Sequence, residues 1–129
     1  MKHIIYISFL ILSVLYINGV KAQQHGAWSS LDSNAIMIGD QVKYEIGITI
    51  PTDNIVTWPL LVDTITSNIE IIKRGSIDTT YLDTDMSLAQ QFTITSFDSG
   101  YFTLPSVEFK FKQLDDSAYF TTSTGTLFL

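Results

Sequence analysis

From Gln41 to Ile50 the chain alternates without a break. Val42, Tyr44, Ile46, Ile48 and Ile50 fall on one side, and Gln41, Lys43, Glu45, Gly47 and Thr49 on the other. Period two gives each set its own face of a β-strand, whereas a helix would scatter the same residues around its circumference. Pro51-Thr52-Asp53-Asn54 closes this strand with turn chemistry. The alternation returns after Pro105, where Val107, Phe109 and Phe111 interleave with Glu108, Lys110 and Lys112. Asp98-Ser99-Gly100 starts that segment as a turn: Asp bonds its own downstream backbone, and Gly takes up positive φ without a Cβ clash. A strand with one phenylalanine-rich face needs a second sheet to cover it, which argues for a sandwich.

Weaker patterns fill the intervals. Gln23 to Ser33 is polar and reads as a ragged first strand, and Ala35-Ile36-Met37-Ile38 runs into the turn pair Gly39-Asp40. Ile55 to Trp58 is a short strand closed by Pro59, which cannot donate to a ladder. Leu60 to Asn68 is a connection. Ile69 to Arg74 is a strand ended by Gly75, Ser76 to Leu82 a weak edge strand, and Asp83-Thr84-Asp85 a polar turn. Leu88 to Phe97 alternates again; Asp115-Asp116 mark a hairpin loop, and Tyr119 to Leu129 is a threonine-rich final strand. Seven or eight strands separated by turn signals predict an all-β, immunoglobulin-like antiparallel β-sandwich. In that fold Trp58 fills the core, and Tyr101 sits where a corner tyrosine ties its hydroxyl back to nearby backbone.

The first 22 residues are of another kind. Met1-Lys2-His3 precedes an apolar run from Ile4 to Ile17, and small residues stand at Val20 and Ala22. This is the layout of a helical signal peptide cut after Ala22, leaving a domain of residues 23–129 that begins at Gln23. The run is shorter than the roughly 20 apolar residues of a membrane anchor and is broken by Ser8 and Ser13. No transmembrane segment is read after it. With 129 residues the chain suits one domain.

Charge narrows the partners. The chain has 7 Lys+Arg and 13 Asp+Glu. Lys2 and Lys21 lie in the leader, which leaves 5 against 13, or −8, on the exported part. Such a surface repels phosphate backbones and anionic headgroups, so nucleic acid is excluded as a partner. Cysteine is absent, and a small secreted domain without disulfides is held by packing alone.

Candidate chemistry is sparse. Asp83, Asp85, Asp115 and Asp116 could offer oxygen ligands to calcium if two loops met at one end of the fold. Asp83-Thr84-Asp85 lacks the glycine and distal glutamate of a calcium loop, and solvated turn acids explain these residues equally well. His25 is the single histidine after the leader. It supports neither a zinc site nor a Ser-His pairing, and no Gly-x-Ser-x-Gly elbow or phosphate-cradling glycine loop is present. The reading is therefore non-enzymatic, without cofactor or metal. Trp28 could be an exposed anchor or a packed residue.

The order Ile38-Gly39-Asp40-Gln41, Trp58-Pro59, Asp63-Thr64, Ile69-Glu70-Ile71-Ile72, Asp78-Thr79, Ile94-Thr95-Ser96-Phe97-Asp98-Ser99-Gly100 and Leu104-Pro105 resembles the N-terminal region of BatD-like aerotolerance-operon proteins. The likeness spans about residues 30 to 112 and rests on order and spacing. It implies an exported, periplasmic or envelope-associated β-sandwich module that works through protein contacts in an aerotolerance or stress-related membrane complex. Gly39, Asp40, Trp58, Pro59, Asp98, Gly100, Tyr101 and Pro105 would be its structural positions. Members of that family continue into further domains and a membrane helix, so this chain, ending at Leu129, is expected to be either a truncated reading frame or a free periplasmic form. An unfinished last strand would leave a sheet edge open to a partner at Tyr119, Thr121, Leu127 and Leu129. The alternative function is a carbohydrate-binding or adhesion sandwich using the Trp and Tyr side chains.

Overall fold

The computed structural model describes residues 25–129. The signal-peptide reading of residues 1–22 and the start at Gln23 lie outside the described residues. Ten strands follow in order: β1 (Gly26–Leu31), β2 (Gln41–Pro51), β3 (Asn54–Thr57), β4 (Thr64–Thr66), β5 (Ile69–Leu82), β6 (Asp85–Thr95), β7 (Thr103–Leu104), β8 (Glu108–Gln113), β9 (Phe120–Ser123) and β10 (Leu127–Phe128). The fold is all-β, every pairing is antiparallel, and no helix occurs among the described residues.

β2 is organised as its alternation predicts. Val42, Tyr44, Ile46, Ile48 and Ile50 are at most 1 % exposed. It pairs along its whole length with β6, placing Tyr44 opposite Phe92 and Val42 opposite Ile94. These strands form the centre of a five-stranded sheet in the order β1-β2-β6-β5-β4, and the sheet curls into a half-barrel. A three-stranded sheet, β3-β8-β9, and a two-stranded one, β10-β7, complete the fold. Leu104 of β7 and Phe109 of β8, with Val107 just before β8 and Leu129 just after β10, join the apolar face of β2 and β6 in one core. Tyr44 and Phe92 rings lie 6.1 Å apart, and Trp58 meets Phe109 edge-on at 5.0 Å. No disulfide is available, so burial of these side chains carries the stability.

The strand inventory differs from the expected seven or eight at four places. Ile69–Arg74 and Ser76–Leu82 are one 14-residue strand, β5. Gly75 does not end it: a Cβ there would lie 2.8 Å from the Gln91 carbonyl oxygen, so the glycine permits close approach of β6 at a bulge between Arg74 and Ile77. β4 arises within the Leu60–Asn68 connection. Pro105 ends the two-residue β7, which therefore belongs to a different sheet from β8. Finally, Tyr119–Leu129 is two strands. Thr124 is buried; its N–H donates to the Val107 carbonyl at 2.9 Å and its Oγ1 accepts from Val107 N–H at 2.8 Å. Beyond this clamp the chain turns through Gly125 and pairs β10 with β7.

Candidate interaction surface

Three segments meet at the end of the molecule where β2 begins. In the first, Met37 N–H donates to Asp40 Oδ2 at 3.1 Å, and Asp40 N–H returns a bond to the Met37 carbonyl at 3.0 Å. Gly39 supplies the left-handed φ of +84° that this tight turn demands, and its N–H donates to the Ser96 carbonyl at 2.9 Å. Thr95 Oγ1 donates to the Asp40 carbonyl at 2.6 Å, tying the turn to β6. In the second, Ser96 Oγ accepts from Asp98 N–H at 3.3 Å, and Asp98 Oδ2 accepts from Asn68 Nδ2 at 2.8 Å. The third is the chain end, where Leu129 and Phe102 exchange two backbone hydrogen bonds of 2.9 Å.

The backbone here is pinned, yet its large side chains face solvent. Met37 is 78 % exposed and Tyr101 wholly so; Ile38, Phe97 and Phe128 are also exposed. Between the segments opens a cavity of about 700 Å³ lined by Ile36, Met37, Ile38, Tyr101, Phe102 and Leu129, with Ser96 and Asp98 as polar groups. Exposed apolar side chains clustered around a concavity characterise contact surfaces, whereas singly scattered ones do not. The Asp40 and Asp98 carboxylates accept bonds from Met37 N–H and Asn68 Nδ2, which sets two acidic groups beside the apolar side chains.

This end gathers Gly39, Asp40, Asp98, Gly100, Tyr101 and Leu129, half of the positions singled out in the sequence. Tyr101, however, is no corner tyrosine. Its ring projects fully into solvent, because Gly100 on its N-terminal side, at φ +143°, turns the chain outward before Phe102 joins the ladder. The last segment divides between two strands at sheet edges, β9 pairing only with β8 and β10 only with β7 among the described residues. Leu129 is buried at 8 % exposure and paired with Phe102, and Leu127 packs on the core opposite Leu104. Tyr119 and Thr121 lie elsewhere, on and beside β9, with Lys112 Nζ 5.3 Å from the Tyr119 ring centre. The outer side of β9 is not free: Thr122 Oγ1 accepts from Ala27 N–H of β1 at 3.4 Å, where the curled sheet meets it.

Trp58 and Pro59 belong to a second cavity of about 420 Å³, with Leu60, Val62, Arg74, Ile77 and Gln90. Trp58 stands just past β3, half-buried, and its Nε1–H donates to Gln90 Oε1 at 2.7 Å. Trp28 packs over Gly47, so neither indole is a free platform. Pro105 is exposed between β7 and β8.

The four aspartates do not converge. Asp83 adopts φ +47° in the β5–β6 turn, while Asp85 is 4 % exposed with His25 Nε2 3.0 Å from its Oδ1. Among the described residues no three His, Asp or Glu side chains come close enough to hold a metal. The His25–Asp85 pair and the apolar end were not apparent in the sequence. Met37-Ile38 directly before a Gly-Asp turn was the available hint, since a turn should be polar. Among the described residues no helix is long and apolar enough to cross a membrane. Comparison with protein-family models, with curated proteins and with solved structures finds no match.

Proposed function

We propose that the chain is an exported, non-catalytic, immunoglobulin-like β-sandwich domain that binds another protein of the bacterial envelope through its Met37–Tyr101 end. The resemblance to the BatD N-terminal module supplies the setting, an aerotolerance or stress-related membrane complex. One observation supports the surface: five large apolar side chains stay exposed on backbone that is hydrogen-bonded into place. Preformed loops cost little further entropy when a partner covers them. Two carboxylates, Asp40 and Asp98, beside an apolar centre suit a partner face with an apolar patch bordered by Lys or Arg. With both indoles packed, the carbohydrate-binding alternative rests on the exposed tyrosines Tyr81, Tyr101 and Tyr119, which lie on separate segments.

Native electrophoresis of the gently solubilised envelope tests this. The protein should migrate in an assembly larger than a dimer, and Met37→Lys or Tyr101→Lys should release it to the free position. Both sites are exposed, so stability should stay within about 0.5 kcal/mol. Variants that migrate with the parent would overturn the assignment.

A further inference from the structure

The second half of β5 is an unguarded sheet edge. β4 covers β5 only at Ile69 and Glu70, and Ile71 N–H still donates to the Asp63 carbonyl at 2.9 Å. Arg74 holds the loop alongside through Leu61 O and Asp63. Beyond that point, among the described residues, no backbone group from Ser76 to Leu82 bonds any strand but β6. Natural edges are protected by bulges, lysines or prolines. Both bulges and Lys73 lie before Ile77, and Ile77-Asp78-Thr79-Thr80-Tyr81-Leu82 has unbroken register with β6 and a single charge. The opposite edge of the sheet, β1, lies against β9. Each chain therefore presents one such edge on this sheet.

Its occupant is written in its own sequence. Ile77, Thr79 and Tyr81 stand opposite Gln90, Leu88 and Met86, on the face of the sheet that carries the core. All three are exposed, Ile77 at the margin of the Trp58 cavity. A two-fold axis normal to a sheet keeps each residue on its face, so antiparallel self-pairing must centre on a residue opposite its own copy. With Thr79 opposite Thr79 of the second chain, Ile77 meets Tyr81 on one face and Asp78 meets Thr80 on the other. Apolar meets aromatic, hydroxyl meets hydroxyl, and a carboxylate meets a hydroxyl donor, which are favourable cross-strand pairs. The two Asp78 carboxylates stand about 8 Å apart, near the Debye length at physiological salt.

We infer that two copies of this chain pair β5 to β5 in antiparallel register about Thr79, joining their five-stranded sheets into one of ten strands. Because the two-fold axis uses the same edge of both copies, this contact closes on itself as a dimer and does not propagate. The inference is separate from the proposed envelope contact, which uses the other end of β6.

The test is sedimentation equilibrium on the full gene product in the form the cell makes. The parent should sediment at twice the chain mass in the micromolar range. Thr79→Lys places two ammonium groups face to face and should weaken dimerisation roughly tenfold or more, as edge lysines do. Thr79→Glu alone should do the same, and mixing the two variants should restore a dimer of one copy each. Thr80→Lys, brought opposite Asp78 of the second copy, should tighten it. A parent that stays monomeric, a dimer indifferent to Thr79→Lys, or a mixture that fails to reassociate would each overturn the inference. Thr80→Lys keeps the register open to refutation should a Thr79 variant misfold.

Discussion

The indole of Trp28 occupies the space where residue 47, directly across the β1–β2 ladder, would carry a β-carbon. Gly47 is required there by close approach and not by backbone angle. On its other side the Leu88 carbonyl oxygen would lie 2.8 Å from that carbon. Gly47→Ala should therefore destabilise the fold by about 2 to 4 kcal/mol, as overpacking and backbone displacement combine. Urea unfolding followed by tryptophan fluorescence measures it. Adding Trp28→Ala should recover part of the loss, and strictly additive costs would show that the two residues do not share one space.

His25→Ala should cost about 1 to 3 kcal/mol, because it removes the group 3.0 Å from the buried Asp85 carboxylate. His25→Ala combined with Asp85→Asn should be more stable than His25→Ala alone, since an amide is cheaper to leave in that site than a charge. Thermal melts of the three proteins at neutral pH decide the order.

Tyr44 yields a pH prediction. Burial pushes its phenol up to about 12 from the usual 10.0. Below pH 10 the phenol is protonated in both the folded and the unfolded chain, so its contribution is fully present. Between about 10 and 12 only the unfolded chain ionises, and stability should fall by up to about 1.4 kcal/mol per pH unit. Denaturation titrations across that range in the parent and in Tyr44→Phe should diverge, with the Phe variant losing less. Identical slopes would mean that the phenol is solvated in the folded state.

Gln90 sits on the core side of β6 and is satisfied at both ends, accepting from Trp58 and donating Nε2–H to the Gly75 carbonyl at 2.9 Å. Gln90→Ala should cost about 1 to 3 kcal/mol, because a partly buried indole N–H and the carbonyl at the β5 bulge both lose their partners. Chemical denaturation gives the stability, and the emission maximum of Trp58 should shift to the red as its site loosens.

Elements with one dry and one wet face were legible because alternation is a local signal. β2 buries the residues its period two assigns, as do Phe92 and Ile94 of β6 and Phe109 of β8, whereas Leu88 and Phe111 are half-buried and Thr93 and Thr95 are buried as well. β5 gave no such pattern, since its residues from Ser76 to Leu82 are exposed on both faces, and a glycine in its middle reads as a stop when it is a point of close approach. The split of the last segment turned on Thr124, a polar residue buried by a clamp to Val107 that no neighbour-to-neighbour rule could supply. The apolar end joins Met37, Tyr101 and Leu129, residues far apart in the chain. Only tertiary structure brings them together, so their types were visible and their meeting was not.

The most direct measurement on the proposed contact is photo-crosslinking in the cell of origin, with the reactive amino acid placed in turn at Met37, Tyr101, Tyr119 and Lys110. The expected result is a discrete adduct to one envelope protein from Met37 and Tyr101, and none of that mass from Tyr119 or Lys110. An adduct absent at Tyr101, or equally strong at all four positions, would contradict the assignment of that end as the binding surface.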